Sequence, residues 1–152
     1  MRRKDKEITD QKIINDILLN SHICRIAIFD NPYPYIVPMN YGYKDNCLYF
    51  HCATKGRKLD LIRNSGKVGF EIEEHHEIIK DVESCKWTTK YRSVIGYGDM
   101  EIIKDVDLIE TKLDIIMNHH GRSNNSYDKK TVRNIVILKL KIKNMTAKQS
   151  GY

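Results

Sequence analysis

The sequence predicts a mainly β protein, an antiparallel barrel of about six strands carrying three peripheral helices, with an open α+β sandwich as the alternative. Three observations predict it. Short apolar runs of strand composition recur along the 152 residues, mostly joined by tight turns of Pro, Gly, Asn and Asp. Two of these runs, Val68-Gly69-Phe70-Glu71-Ile72-Glu73 and the stretch from Val136 to Lys143, alternate apolar and charged residues, as a sheet with one wet face does. Helical periodicity is confined to three places. With 41% hydrophobic residues, one domain with a real core is expected, spanning 1–152.

Taken in order, Thr9 or Asp10 is placed to cap a helix whose apolar positions Ile13, Ile14, Ile17 and Leu18 recur at helical spacing, ending near Asn20-Ser21. Cys24 to Phe29 reads as a strand and Asp30-Asn31-Pro32 as the turn after it. A second strand runs from Tyr35 to Tyr43. Pro38 lies inside it and cannot donate to a ladder, so an edge, a bulge or a ligand is expected alongside. Lys44-Asp45-Asn46 closes a hairpin onto the run from Cys47 to Cys52, and a short helix follows over 56–64. Val68 to Glu73 is a strand; Glu74 to Thr88, charged and with little period, reads as a long loop. Tyr91 to Gly98 resumes a strand whose glycines permit a bulge or a close backbone approach. The last helix is expected from about Asp107, with Glu110 in a capping-box position and Leu108, Ile109, Lys112, Leu113, Ile116 and Met117 on its inner side. Gly121 to Asp128 is turn-rich, and Val132 to Ile142 closes the chain as a strand with Val136, Leu138, Leu140 and Ile142 inward.

Composition narrows the function. Lys plus Arg at 26 against Asp plus Glu at 20 gives a charge of +6, which raises the question of a polyanion partner. Apart from Arg2-Arg3-Lys4 and the turn at 55–58, the basic residues alternate with acids, so nucleic acid is not the expected partner. Met1 to Asp10 is charged and no apolar run is long enough to cross a bilayer, so neither a signal peptide nor a membrane association is expected. Cys24, Cys47, Cys52 and Cys85 form no Cys-x-x-Cys pair, which points to a reduced, cytoplasmic protein. His51 with Cys52, His75-His76 and His119-His120 do not repeat a two-ligand spacing, so no metal site is expected.

The stretch that carries chemistry is Cys47-Leu48-Tyr49-Phe50-His51-Cys52-Ala53-Thr54-Lys55-Gly56-Arg57-Lys58, a strand that breaks into a cationic turn and a helix start. A helix N-terminus is the positive end of the dipole and favours acidic side chains; Lys55, Arg57 and Lys58 are out of place there unless an anion joins them. Arg presents a planar fork and Lys a mobile point charge, which suits a phosphomonoester; a solvated basic turn is the alternative. Neither a Walker loop nor a Gly-x-Gly-x-x-Gly fingerprint is present.

The chain resembles the pyridoxamine 5'-phosphate oxidase-like flavoproteins, and within them the nitroimidazole-resistance branch. The matching pieces are Met1-Arg2-Arg3-Lys4-Asp5, Cys24-Arg25-Ile26-Ala27, Pro34-Tyr35-Ile36-Val37-Pro38-Met39-Asn40, Tyr49-Phe50-His51 with Gly56-Arg57-Lys58, and Tyr91-Arg92-Ser93-Val94-Ile95-Gly96-Tyr97-Gly98. The resemblance implies a split β-barrel that dimerises and binds FMN in the groove between subunits. It implies that Val37, Pro38, Met39 and Asn40 run beside the isoalloxazine and that the turn with Arg57 and Lys58 holds the phosphate, joined by Lys55. His51 then stands as proton donor near the flavin, or as a barrel histidine bonded to backbone; Trp87 either stacks over the ring system or plugs its own loop. The expected activity is FMN-dependent reduction of a small aromatic or nitro-type acceptor, with a non-catalytic flavin or haem binding module as the alternative. The ending Met145-Thr146-Ala147-Lys148-Gln149-Ser150-Gly151-Tyr152 lacks the oxidase's Arg-rich substrate segment, which argues against pyridoxamine phosphate oxidation itself. A homodimer is expected because the strands around Tyr35 to Tyr43 and Tyr91 to Tyr97 leave apolar surface with little of the chain to cover it.

Overall fold

A computed structural model describes residues 3–152, apart from the side chain of His75. Met1 and Arg2, which open the first matching piece, lie outside the described residues.

The strands are β1 (Glu7–Ile8), β2 (Ile23–Ile28), β3 (Tyr35–Asn40), β4 (Gly42–Lys44), β5 (Cys47–Ala53), β6 (Lys67–Ile79), β7 (Thr88–Ile103) and β8 (Ile135–Ser150). The helices are α1 (Gln11–Asn20), α2 (Arg57–Ser65), α3 (Val106–His119) and the single turn α4 (Lys129–Val132). All pairings are antiparallel, in the order β3-β2-β6-β7-β8-β5-β4, with β1 added on β8. Only Tyr41 separates β3 from β4, so the two outermost strands of the sheet are consecutive in the chain and the sheet must roll up on itself. The result is a split barrel: β3 and β4, the two ends of the strand order, are joined through Tyr41 without pairing to each other.

Inside the roll lies the main core, with Ile26, Ile28, Leu48, Phe50, Ile72 and Leu138 buried. Helix α1 closes one end with Ile14, Ile17 and Leu18, and the buried Tyr41 hydroxyl donates to the Leu18 carbonyl at 2.8 Å. A second cluster packs Ile109, Leu113 and Ile116 of α3 against Cys47, Tyr49 and Ile137 on the outer face of β5 and β8. Covered on both faces, Cys47 to Phe50 is therefore apolar without alternation.

Several expectations need correction. Glu74 to Thr88 is not a long loop: β6 runs on to Ile79, which pairs with Thr88, leaving only 80–87 as the turn. This hairpin projects past the core, and its residues 76–79 are exposed, so no burial imposes a period on them. The last strand also continues past Ile142 to Ser150, held by pairing with β7 and β1, with Ala147 reaching the core. The cap of α3 is Asp105, whose carboxylate accepts from the Asp107 amide at 3.0 Å; Glu110 forms no capping box, and Leu108 is exposed. The Tyr35 to Tyr43 run breaks at Tyr41, and β1 and β4 raise the strand count above the expected six. The close approach expected at the β7 glycines is real: the register shifts between Tyr97 and Gly98, where a side chain at Gly98 would run into the Lys141 carbonyl. Among the described residues no helix is long and apolar enough to cross a membrane.

Candidate functional site

Strand β5 leaves the sheet at Ala53, and the chain turns through Thr54 and Lys55 into α2. Gly56, the N-cap, sits at φ 134°, a conformation L side chains rarely adopt, and it offers no capping side chain. Its carbonyl accepts from the amides of Leu59 at 2.9 Å and Asp60 at 3.3 Å. The amides of Arg57 and Lys58 form no hydrogen bond among the described residues, so two donors and the positive end of α2 point outward. They open into a depression of about 230 Å3 shared by Tyr35, Cys52, Lys55, Gly56, Arg57 and Lys58.

The three cations there differ in state. Arg57 donates from Nε (3.1 Å) and Nη2 (2.5 Å) to one oxygen of Asp30, and its guanidinium lies 5.6 Å from the centre of the Tyr35 ring. Lys58 is half-buried, and its ammonium meets only the Met39 thioether, at 3.4 Å. Neither Lys55 nor Lys58 has a carboxylate partner among the described residues. Four cations elsewhere on the sheet are neutralised: Arg25 by Glu71 and Glu73, Lys67 and Lys143 by Asp99, Lys139 by Glu101. A half-buried ammonium beside a weak acceptor is poorly satisfied, and it is of the sign that an anion at the helix start would complement.

β3 is an edge strand, pairing only with β2, which is why Pro38 is tolerated opposite Arg25. Tyr35, Val37 and Met39 are half-buried toward the core, while Pro38 and Asn40 are exposed. Tyr35 thereby joins β3 to the depression, and Met39 joins it to Lys58. His51 stands opposite Ile137 on the face of β5 away from Cys52, so its ring does not line the depression. Loss of solvation, and secondly the nearby Lys58 charge, hold its pKa below the ordinary value. Trp87 lies on the β6–β7 turn, where its indole N–H donates to the Asp81 carbonyl at 2.7 Å and Lys80 stands 5.9 Å from its ring. It too is absent from the depression.

Asp30, Tyr35 and Cys52 were not singled out by spacing. Cys52 follows from the β5 alternation once the strand is placed; Asp30 belongs to a turn whose fold contact with α2 has no local signal. A wider depression, about 650 Å3, lies on the outer face of the sheet between Phe29 and Tyr97. Its charges are already paired around Asp99, so it offers apolar surface and no free cation. Among the described residues no group of three or more His, Cys, Asp or Glu side chains is able to hold a metal ion.

The rolled sheet with its seam defines the class: an antiparallel split barrel. The sequence pattern of the family described as pyridoxamine 5'-phosphate oxidase matches residues 10–149, and the chain belongs to that family. The chain is similar to the crystal structure of a candidate 5-nitroimidazole antibiotic resistance protein from Bacteroides thetaiotaomicron, at 30% identity and a TM-score of 0.83, over 94% of this chain and 86% of that one. It shares its fold with a flavocytochrome from Azotobacter vinelandii, at 17% identity and a TM-score of 0.83 over 100% of this chain and 72% of that one. An FAD and haem binding protein from Mycobacterium smegmatis shares it too, at 18% identity and a TM-score of 0.81 over 97% and 74%. No curated protein sequence matches the chain.

Proposed function

We propose that this protein binds FMN and works as an oxidoreductase that reduces a small aromatic or nitro-type acceptor with electrons from an external donor. The observation that carries the reading is the cationic, uncapped start of α2, with the half-buried Lys58 ammonium lacking a carboxylate partner among the described residues. Those donors fit the terminal phosphate of FMN: a dianion, recognised by a fork, a point charge and backbone N–H groups at once. Bound flavin supplies reversible one- and two-electron chemistry. The chain's own residues hold and orient it. Arg57, Lys58 and the free amides take the phosphate, Lys55 adds charge at the rim, and the free edge of β3 from Val37 to Asn40 flanks the ring system. His51 acts as the proton donor; its lowered pKa keeps it neutral near pH 7, so proton delivery strengthens on the acidic side. The nitro-type acceptor is supported by the similarity to the Bacteroides protein.

The reading includes a homodimer. Phe29 (73% exposed), Ile36 (61%), Ile95 (57%) and Tyr97 (59%) form apolar relief on the outer sheet face, of the kind a second copy covers. A reducing, cytoplasmic setting is supported by four unbridged cysteines.

The test is the absorption spectrum of the purified protein, followed by titration with FMN and riboflavin at several protein concentrations under sedimentation. The expected outcome is a flavin spectrum, tighter binding of FMN than of riboflavin, release of flavin as the dimer dissociates, and loss of the acidic limb of turnover in His51→Gln. Equal affinity for FMN and riboflavin refutes the phosphate anchor, and a Soret band in place of a flavin spectrum points to haem.

A further inference from the structure

Resting on that reading, we infer that Asp30 and Tyr35 are positioning residues that hold the Arg57 guanidinium in register for the phosphate, so the strength of the anchor is set from the turn after β2. The alternative role for a carboxylate next to an anion site is a competitor that repels the ligand and occupies its arginine. The geometry decides between them.

Both oxygens of Asp30 are already committed. Oδ1 accepts from the Asn31 amide at 2.9 Å, which fixes the carboxylate to its own turn, and Oδ2 takes both the Nε and the Nη2 of Arg57. The Asp30 side chain is only 15% exposed, whereas that of Arg57 is 67% exposed. The carboxylate is thus the rigid partner and the guanidinium the one being held. Arginine carries five donors. Asp30 engages the edge formed by Nε and Nη2, leaving Nη1 and the outer hydrogen of Nη2 for another acceptor. Tyr35 restrains the plane from its face, at 5.6 Å. An exposed arginine restrained at edge and face loses less freedom on meeting a ligand than one that is free, which is the ordinary advantage of a preorganised contact. The arrangement also joins two parts of the proposed flavin site, because Tyr35 opens β3, the strand assigned to the ring system.

Asp30→Asn keeps the size and an acceptor oxygen and removes the charge; Tyr35→Leu removes the aromatic face. The measurement is the ratio of FMN to riboflavin affinity, which reports the phosphate contact alone. Asp30→Asn is expected to lower that ratio about tenfold, roughly the worth of one charge-assisted bond, and Tyr35→Leu by a smaller factor. In an Arg57→Ala background Asp30→Asn should change nothing further, since its action runs through the arginine. Asp30→Glu should restore part of the loss. A ratio that stays constant in Asp30→Asn while Arg57→Ala lowers it overturns the positioning role and leaves the phosphate anchor standing. A ratio that rises identifies Asp30 as a competitor and overturns it equally. If Arg57→Ala itself leaves the ratio unchanged, the anchor reading fails first. Riboflavin affinity serves as the folding control, because a general collapse of the site lowers both ligands together.

Discussion

The start of α2 and the starts of α1 and α3 meet the same physical demand in opposite ways. Asp10 accepts from the Lys12 amide at 2.8 Å and Asp105 from the Asp107 amide at 3.0 Å, so each satisfies an orphan donor and places a negative charge on the positive helix end. Helix α2 has a glycine in that place and cations immediately after it. The first arrangement stabilises the fold by itself. The second leaves two amides without a hydrogen bond and two ammonium groups without a carboxylate among the described residues, which is what a binding helix start, as against a structural one, requires.

The comparison breaks most visibly at Lys58. Lys58→Ala, like Arg57→Ala, is expected to weaken FMN binding tenfold to a hundredfold, corresponding to about 1.5–3 kcal/mol for a charge-assisted bond. The melting temperature of the ligand-free protein should stay unchanged or rise in Lys58→Ala and fall in Arg57→Ala, which strips the Asp30 carboxylate of its partner. Calorimetric titration together with a thermal melt checks both halves. A fall in ligand-free stability in Lys58→Ala would mean that its ammonium serves the fold.

The converse substitutions sharpen it. Asp105→Ala should cost about 1 kcal/mol in denaturant unfolding and leave flavin affinity intact. Gly56→Asp, which puts a carboxylate at the start of α2, should weaken FMN binding because the added charge competes with the phosphate, and should also lower stability, since the residue is strained at φ 134°. Affinity for FMN that survives Gly56→Asp would argue against an anion at this helix start.

The smallest effect concerns the other end of α3. His119 and His120 stand with their ring centres 5.3 Å apart, and His22 stands 5.3 Å from His120. The His119 ring nitrogen Nε2 meets the Ser21 carbonyl at 2.7 Å, and Tyr41 packs against the same ring. Burial first, and then the neighbouring imidazoles, hold the pKa values of His119 and His120 below the ordinary 6.5; the Ser21 carbonyl pulls His119 partly back. The folded protein therefore resists protons that the unfolded chain accepts. Stability is full above about pH 7 and declines as pH falls through 6.5 toward the lowered values. A series of thermal melts from pH 7.5 to about 5 should show this slope, shallower in His119→Gln, with the partial exposure of the rings keeping it modest.

What the sequence disclosed follows where burial acts. The α1 stripe of Ile14, Ile17 and Leu18 and the alternation of Val136, Leu138 and Leu140 were legible because a core imposes a period on them. The β6–β7 hairpin was not, since its outer half touches no core and only backbone pairing makes it a strand. The same division holds at the site. Lys55, Arg57 and Lys58 announced themselves by being cations at a helix start, a conflict between local rules. Asp30 reaches Arg57 across 27 positions of sequence through a turn, and nothing local in Asp30-Asn31-Pro32 foretells it.

Tyr41 alone joins the outermost strands, so the chain has no slack where the roll of the sheet comes round on itself. Beyond it β5 pairs with β4 only as far as Tyr49, so Phe50 to Ala53 keep one edge without a strand partner, as β3 does. Tyr35 and Ala53, the far ends of those two free edges, both line the depression at α2, so the unpaired backbone and the cations meet at one place.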